Sequence, residues 1–395
     1  MLLGLPRTYW VIWTGALVNR LGGFVFTFLA LYLTEARHFS ALDAGTAVAS
    51  YGVGSFAAAA FGGWLADRKG RRFGILFGTV TGAASLLVLG AMDTLLLVRV
   101  AAFFAGFFGD SYRPALNAAI ADVVPQPDRL RAYATLYWAV NVGFAIAASS
   151  AGWLAHKGYH WLFIIDAATT LTFATIAFFL VPETKPAAAA TDAPAQTTPW
   201  WAPFQHPPFL RFVAGQFLVV LAFMQCQVTL PLAMHAAGVA SEEYGTLIGI
   251  NGVLIILVQP LSTRLFRDTP LKSLLVAGSL LTGIGFGLNA FATGAPLFAL
   301  GIVIWTLGEI AFSASAPAYV AEISPLHARG VYQGAHHMIW GAGFAIAPIL
   351  GTFVMQTYST EVLWFGCLAF GVMGALIHGL SHGLSHGLSH GLPRR

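Results

Sequence analysis

The sequence has very little charge and almost no cysteine. Only 9% of its 395 residues are charged, whereas 57% are hydrophobic and the mean hydropathy is +0.73. A soluble domain carries about 25% charged residues, so this chain lacks the charge to cover a surface that faces water. Its two cysteines, Cys226 and Cys367, lie in apolar runs and indicate neither a disulfide framework nor a zinc site. We therefore expect the solvent of this protein to be largely lipid.

Apolar runs of about 20 residues, long enough to cross a bilayer as helices, recur along the chain. Twelve spans are predicted, at 8–33, 43–66, 73–92, 95–121, 132–155, 161–181, 208–234, 243–266, 271–292, 295–321, 331–357 and 361–379. The connection after span six is rich in Pro, Ala and Thr, which is typical of a flexible linker. The predicted domains are an N-terminal six-helix half (1–181), a cytoplasmic linker (182–207), a C-terminal six-helix half (208–379) and a His/Gly-rich tail (380–395).

The basic residues separate to one side of this topology. With a cytoplasmic N-terminus, most of the 20 Lys and Arg residues fall in cytoplasmic segments, and the outer loops hold only Arg37 and Lys157. The positive-inside rule then predicts a multi-pass protein of the cell inner (plasma) membrane with both termini cytoplasmic. The formal net charge of +4 reflects this topology, and we expect no nucleic-acid partner.

A repeat with an offset of 200 residues relates the two halves. The pentapeptide "GFAIA" occurs at 143–147 and again at 343–347. The same offset joins four further pairs: Gly78 and Gly278, Asp122 and Glu322, Pro125 and Pro325, and Arg129 and Arg329. The predicted fold class is therefore an all-α membrane protein with twelve transmembrane helices in two pseudo-symmetric halves. Parallel repeats of this kind place a transport pathway at their interface.

The most specific motif is "GGWLADRKGRR" at 62–72, between spans two and three. Asp67 stands at a helix end, where it can pair with neighbouring arginines or with a helix N-terminus in the other half. The alternative is that the basic residues only enforce topology. The motif resembles the cytoplasmic signature of the major facilitator superfamily, as does "VPETK" at 181–185. The resemblance implies a conformational latch formed by Gly63, Asp67, Arg68, Gly70, Arg71 and Arg72.

A narrower resemblance is carried by "YRPALNAAIADVVPQPDRLRAY" and "YWAVNVGFAIA". These stretches are similar to the twelve-span drug:proton antiporters of that superfamily. The resemblance implies the same fold of twelve transmembrane helices in two halves. The two halves also differ from each other. Pro348 follows the second "GFAIA" but no proline follows the first, and Arg267 occupies the place that Asp67 holds in the first half.

Ionisable groups within spans are predicted to carry the mechanism, because a charge in lipid is costly. A carboxylic acid in a low-dielectric cavity exchanges its proton nearer to neutral pH than one in water. Glu309, in the middle of span ten, is the leading proton-coupling residue, since family members often use an acid there. Asp110 is the second candidate. It shares a helix face with Arg113, three residues away, and a salt bridge that only stabilises the bundle is an equal alternative.

Other polar and aromatic residues within spans are candidates for ion pairs or for the substrate cavity. They are Arg20, Arg113, Asn19, Asn141, Gln225, Gln227, Tyr137, Trp138, Trp305 and His337. In the tail, histidines recur every four residues from His378 onward, but the recurring glycine disfavours a helix that would align them. No metal site is predicted.

The resemblance implies a secondary active transporter that performs proton-coupled efflux (antiport) of lipophilic or amphipathic small molecules by alternating access. Its expected partners are a small-molecule substrate, protons and membrane lipid, and we expect a monomer without a cofactor. The alternative is a proton-coupled symporter that imports a polar nutrient such as a peptide or sugar. A receptor is a further alternative, whereas no nucleophile–base–acid arrangement supports an enzyme.

Overall fold

The computed structural model describes residues 4–25, 28–29, 32–39, 41–186, 198–227, 229–239 and 241–380, and within these ranges the chain is helical, without strands. The first half contains α1 (Arg7–Leu21), α2 (Ala41–Lys69), α3 (Arg71–Gly90), α4 (Leu95–Asp110), α5 (Tyr112–Val123), α6 (Arg129–His156) and α7 (His160–Leu180). The second half contains α8 (Pro207–Phe223), α9 (Thr229–Ala236), α10 (Ser241–Leu265), α11 (Leu271–Gly287), α12 (Ala295–Ile323), α13 (Arg329–Thr357) and α14 (Thr360–Gly379).

Among the described residues, ten helical segments are long and apolar enough to cross a membrane. They coincide with ten of the twelve predicted spans. The first predicted span, 8–33, includes residues outside the described ranges, and the fifth, 132–155, forms α6. Span four is the pair α4 and α5, and span seven is α8 and α9 joined by a 3-10 turn at Met224–Cys226.

The two halves have matching helix boundaries at the offset of 200. A 3-10 turn at Gln126–Asp128 precedes the helix that begins at Arg129, and a second at Leu326–Ala328 precedes the helix that begins at Arg329. The helix before each turn ends at residue 123 or 323. The repeat is therefore present in the helix boundaries as well as in the sequence. The predicted all-helical fold class with two related halves is confirmed.

The halves meet along α2 with α13 and α6 with α10, and also along α5 with α13 and α6 with α12. The repeat makes α2 equivalent to α10 and α6 equivalent to α13, so the α2–α13 and α6–α10 contacts are related by a pseudo-two-fold axis. At the α2–α13 crossing, a Cβ on Gly63 would lie 2.4 Å from the Gly330 carbonyl oxygen, and one on Gly334 would lie 2.2 Å from that of Ala59. Glycine thus brings the backbones of the two halves into contact. We call this end of the bundle, which carries the loops around residues 70 and 327, the basic end.

Candidate functional site

A cavity of about 390 Å³ lies between the halves, enclosed by helices of both. Its first-half wall includes Arg20 on α1, Arg113 on α5 and Tyr137 on α6, and its second-half wall includes Glu309 on α12 and His337 on α13. Aromatic side chains form much of the remaining surface: Tyr112, Tyr133, Phe223, Phe312 and Trp340. The cavity therefore combines apolar walls with a small number of charged groups, as pockets for small molecules do.

Glu309 is held by neutral donors from both halves. Its Oε1 accepts a hydrogen bond from the Tyr137 hydroxyl, which belongs to the first half. Its Oε2 accepts a hydrogen bond of 2.7 Å from Asn251 Nδ2 on α10. No described residue forms a salt bridge with this carboxylate. Glu309 is thus an acid without a cationic partner, placed where the two halves touch.

The "GFAIA" glycines place a different side chain in each half. A Cβ on Gly143 would lie 2.6 Å from the Cβ of Arg20, so this glycine lets α1 approach α6 closely. A Cβ on Gly343 would lie 2.2 Å from Val220 Cγ1. Arg20 and Val220 are themselves 200 residues apart. The repeat therefore builds the same close contact twice, around a cation in one half and an apolar side chain in the other.

Asp110 and Arg113 form an ion pair beside the cavity. Arg113 Nε donates to Asp110 Oδ1 at 2.5 Å, and the Ser55 hydroxyl donates to the other carboxylate oxygen. Arg113 lines the cavity, whereas Asp110 lies behind it. A further contact joins the halves, since Asn117 Nδ2 and His337 Nε2 are 2.8 Å apart.

The structure places six of the predicted cavity residues outside the cavity wall: Asn19, Asn141, Gln225, Gln227, Trp138 and Trp305. Three of them, Asn19, Gln225 and Trp138, join helices instead. Gln225 donates to the carbonyl groups of Leu221 and Ala347, both at 3.0 Å, and Trp305 is buried in the second half. Sequence reasoning missed Asn117 and Tyr133, which line the cavity, although both lie inside the stretch that carries the antiporter resemblance.

Three of the predicted cavity residues lie outside the cavity wall for a simple physical reason. An amide or indole in lipid forms a hydrogen bond to the nearest available helix. Asn19 donates to the Tyr112 hydroxyl at 2.9 Å, and Asn141 donates to the carbonyl oxygen of Tyr137 in its own helix at 2.9 Å. Trp138 donates across the interface to the Ile256 carbonyl at 2.9 Å. The bonds of Asn19 and Trp138 join helices, that of Asn141 stays within its own helix, and none of the three requires a cavity.

Asp67 bridges the halves at the basic end. Its carboxylate accepts hydrogen bonds from the backbone N–H groups of Gly330 (2.9 Å) and Val331 (2.7 Å). These residues begin α13, so the negative charge lies at the positive end of that helix dipole. Arg71 Nη1 also donates to Asp67. Asp67 therefore has both kinds of partner that the motif offered, a neighbouring arginine and a helix N-terminus in the other half.

A second carboxylate extends this network. Asp122 accepts from Arg71 Nε at 3.0 Å and from Arg329 Nη1, in the other half, at 2.5 Å. Glu183, from "VPETK", accepts from the backbone N–H of Arg71 at 2.8 Å. Gly70 precedes this contact with a φ of 107°, a conformation that favours glycine. The network locks the basic end with charge-assisted hydrogen bonds.

The side chains of the other two predicted latch arginines contact the first half. Arg68 is exposed, with its guanidinium 5.2 Å from the centre of the Trp64 ring. Arg72 donates to the Phe178 carbonyl oxygen. Neither bonds to the second half, which is consistent with the topological role that their positive charge alone would serve.

The described residues contain no group of three or more His, Cys, Asp or Glu side chains that could hold a metal ion. His378, the first of the tail series, is buried in α14, and its ring nitrogens lie 3.1 Å from Ser279 Oγ and 3.2 Å from the Phe212 carbonyl oxygen. The tail histidines from His382 onward lie outside the described residues.

Comparisons with known proteins agree with this architecture. The profile of the Major Facilitator Superfamily matches residues 12–288 and 228–386. The uncharacterized MFS-type transporter YttB of Bacillus subtilis (strain 168) is 25% identical over 362 residues, covering 91% of this chain and 91% of the relative. The Na(+), Li(+), K(+)/H(+) antiporter of Planococcus maritimus is 24% identical over 357 residues, covering 82% and 84%.

A solved structure gives the same result for the fold. The crystal structure of a bacterial homologue of the iron transporter ferroportin, in an outward-facing state, superposes with a TM-score of 0.81. The match covers 96% of this chain and 100% of that one, at 14% sequence identity. At this identity the likeness concerns the fold alone.

Proposed function

The chain belongs to the major facilitator superfamily and is a multi-pass membrane transporter, and from this premise we propose that it exports lipophilic or amphipathic small molecules in exchange for protons. The observation that carries this proposal is the position of Glu309. It is an acid in the cavity wall whose donors among the described residues are neutral, and one of those donors belongs to the other half.

Protonation of Glu309 changes a contact between the halves. The ionised carboxylate accepts hydrogen bonds from Tyr137 and Asn251, whereas the protonated acid has a proton of its own to donate. An ionised carboxylate without a cation is costly in a low-dielectric site. A proton, or a substrate that neutralises the charge, removes that cost. Because the same acid binds either the proton or the substrate, the two bind in alternation. Antiport requires this alternation.

The latch supplies the conformational half of the cycle. The hydrogen bonds of Asp67 and Asp122 hold the halves together at the basic end, which the positive-inside rule assigns to the cytoplasm. Under this proposal, the contacts at the basic end belong to a conformer closed toward the cytoplasm. Alternating access requires that this network break when the cavity opens toward the cytoplasm, where the substrate enters.

Transport in proteoliposomes with an imposed pH gradient tests the proposal, with an amphipathic fluorescent dye as substrate. We expect Glu309→Gln to reduce proton-driven dye transport at least about tenfold, because the amide cannot exchange a proton. Asp166→Asn is the matched control. Asp166 is also a buried acid within a span, but it accepts from the Val25 N–H at 3.1 Å and does not line the cavity. Proton-coupled transport that survives unchanged in Glu309→Gln refutes the assignment.

The same assay separates two other substrate classes. The relative from Planococcus maritimus is named for exchange of alkali cations with protons, so proton release on addition of Na⁺ or K⁺, without dye, would indicate that chemistry. Uptake of a peptide or sugar along an inward proton gradient would indicate the symporter. The aromatic cavity wall favours the amphipathic substrate over either of these.

A further inference from the structure

Arg20 is a cation in the cavity wall for which the described residues provide no hydrogen-bond or ion-pair partner. It lies near the end of α1 and is partly exposed to the cavity. Its guanidinium group carries five N–H donors but makes no hydrogen bond or ion pair with any residue that the structure describes. A charge within a span normally finds a partner or faces a polar pathway. Here the polar pathway that Arg20 faces is the cavity, whose wall it forms in part.

The acids near Arg20 are already engaged. Asp110 and Asp166 lie close enough to interact with it electrostatically. Both oxygens of Asp110 accept hydrogen bonds, from Arg113 and from Ser55, and Asp166 accepts from the Val25 N–H. These carboxylates offset part of the positive charge of Arg20 but leave its donors unfilled. An incoming anionic group would meet donors that are already in place.

Packing does not require an arginine at this position. The repeat places Val220 at the equivalent site of the second half, against Gly343 as Arg20 packs against Gly143. An apolar side chain therefore fills the same space in the same fold. The charge of Arg20 has no counterpart at the equivalent position of the second half. Glu309 likewise has no counterpart in the first half, where the equivalent residue is Gly109.

Helix α6 carries a residue that contacts each of the two charged side chains. Gly143 contacts Arg20, and Tyr137 binds Glu309. These α6 residues are six positions apart, which corresponds to about 9 Å along the helix axis at 1.5 Å per residue. The cavity thus presents a cation and an acid whose contacts with α6 lie at different positions along that helix, together with aromatic side chains.

We infer that the substrate is amphoteric: an organic molecule with an anionic group that binds Arg20, a cationic group that binds ionised Glu309, and an apolar body that packs against the aromatic wall. The inference rests on the proposed function for the role of Glu309, and the anion site at Arg20 is its new element. A purely cationic amphipath would leave Arg20 unpaired and be repelled by it. A purely anionic one would be repelled by ionised Glu309.

Equilibrium binding to the purified full-length chain tests the inference, without a proton gradient. Three probes share the rigid biphenyl group. They are 4-phenylbenzylamine (cationic), 4-phenylbenzoate, the biphenyl carboxylate (anionic), and 4′-aminomethyl-4-phenylbenzoate, which carries one charge at each end. Binding is measured by quenching of tryptophan fluorescence, since Trp340 lines the cavity. We expect the wild type to bind the amphoteric probe at least about tenfold more tightly than either of the others, because each charged contact strengthens a hydrogen bond.

The ratio of affinities for the amphoteric and the cationic probe isolates Arg20. We expect Arg20→Gln to lower this ratio about tenfold and Arg20→Lys to retain most of it. Arg99→Gln is the matched control, because Arg99 is an arginine within a span that pairs with Asp43 at 3.2 Å and does not line the cavity. A ratio taken within one variant does not depend on the folded fraction.

An unchanged ratio in Arg20→Gln would overturn the inference. If the affinities for all three probes also fell equally, Arg20 would have a structural role. Neither result bears on the proton role of Glu309, which the transport assay tests separately. Conversely, if Glu309→Gln retains proton coupling while Arg20→Gln loses its preference, the proposed antiport mechanism fails and the anion site remains.

Discussion

The backbone contact between α2 and α13 predicts how the conformational equilibrium responds to one methyl group. In Gly63→Ala, the new Cβ would lie 2.4 Å from the Gly330 carbonyl oxygen. Ordinary van der Waals contact begins near 3.4 Å, so the two backbones must separate by about 1 Å. Overpacking of this kind costs about 1–3 kcal/mol. The two halves can escape that cost by opening at the basic end.

The expected shift follows from this cost. If the conformer closed at the basic end loses about 2 kcal/mol relative to the open one, the ratio of open to closed molecules rises about 30-fold. Spin labels on cysteines that replace Lys69 and His327, both exposed at the basic end, report the change by double electron–electron resonance. Cys226 is replaced by serine, whereas Cys367 is buried and stays. We expect a longer distance to gain population in Gly63→Ala.

Gly52→Ala is the control for this experiment. It makes the same chemical change on the same helix, but its Cβ would meet nothing within 4 Å. We expect its distance distribution to match that of the parent. If Gly63→Ala also matches the parent, then the glycine contact does not hold the basic end closed and the reasoning is refuted.

Two further changes separate opening of the halves from loss of stability. In the same resonance assay, Asp67→Asn should raise the open population about tenfold, because the amide lacks the charge that strengthens the hydrogen bonds from Arg71 and α13. An unchanged distribution of label distances would show that the network does not stabilise the closed conformer. In Gly371→Ala, the Cβ would lie 2.4 Å from the Gly283 Cα within one half, so opening brings no relief. We expect a thermal destabilisation of about 1–3 kcal/mol, measured by thiol labelling of buried Cys367 during heating. Gly366→Ala, whose Cβ meets nothing within 4 Å, should cause no destabilisation. Equal melting temperatures of the two variants would contradict this reasoning.

The sequence predicted the helices well because a chain in lipid must satisfy its backbone hydrogen bonds within each span. Length and hydropathy then suffice to locate the spans, and the offset of 200 aligns the halves down to the turns before Arg129 and Arg329. Asp67 was also accessible from sequence, since a charge at a helix end has few partners within reach.

The cavity was only partly accessible from sequence. Arg20, Arg113, Tyr137, Glu309 and His337 were candidates, and the structure places all five in its wall. The candidate amides were not distinguishable from helix-joining amides, because both kinds are isolated polar residues in an apolar run. A span that is apolar on all sides has little amphipathic periodicity to show which face points inward.

By itself, the sequence determined the all-helical membrane fold, the ten spans that the described residues contain and the duplication, since these depend on hydropathy and on local pattern. Only the tertiary structure decided which side chains meet across the interface. Tyr137 and Glu309 are 172 residues apart, and their contact depends on how each helix is rotated and how the halves dock. The unpartnered state of Arg20 likewise follows from its neighbours in space, because a hydrogen bond that is absent leaves no mark on a sequence.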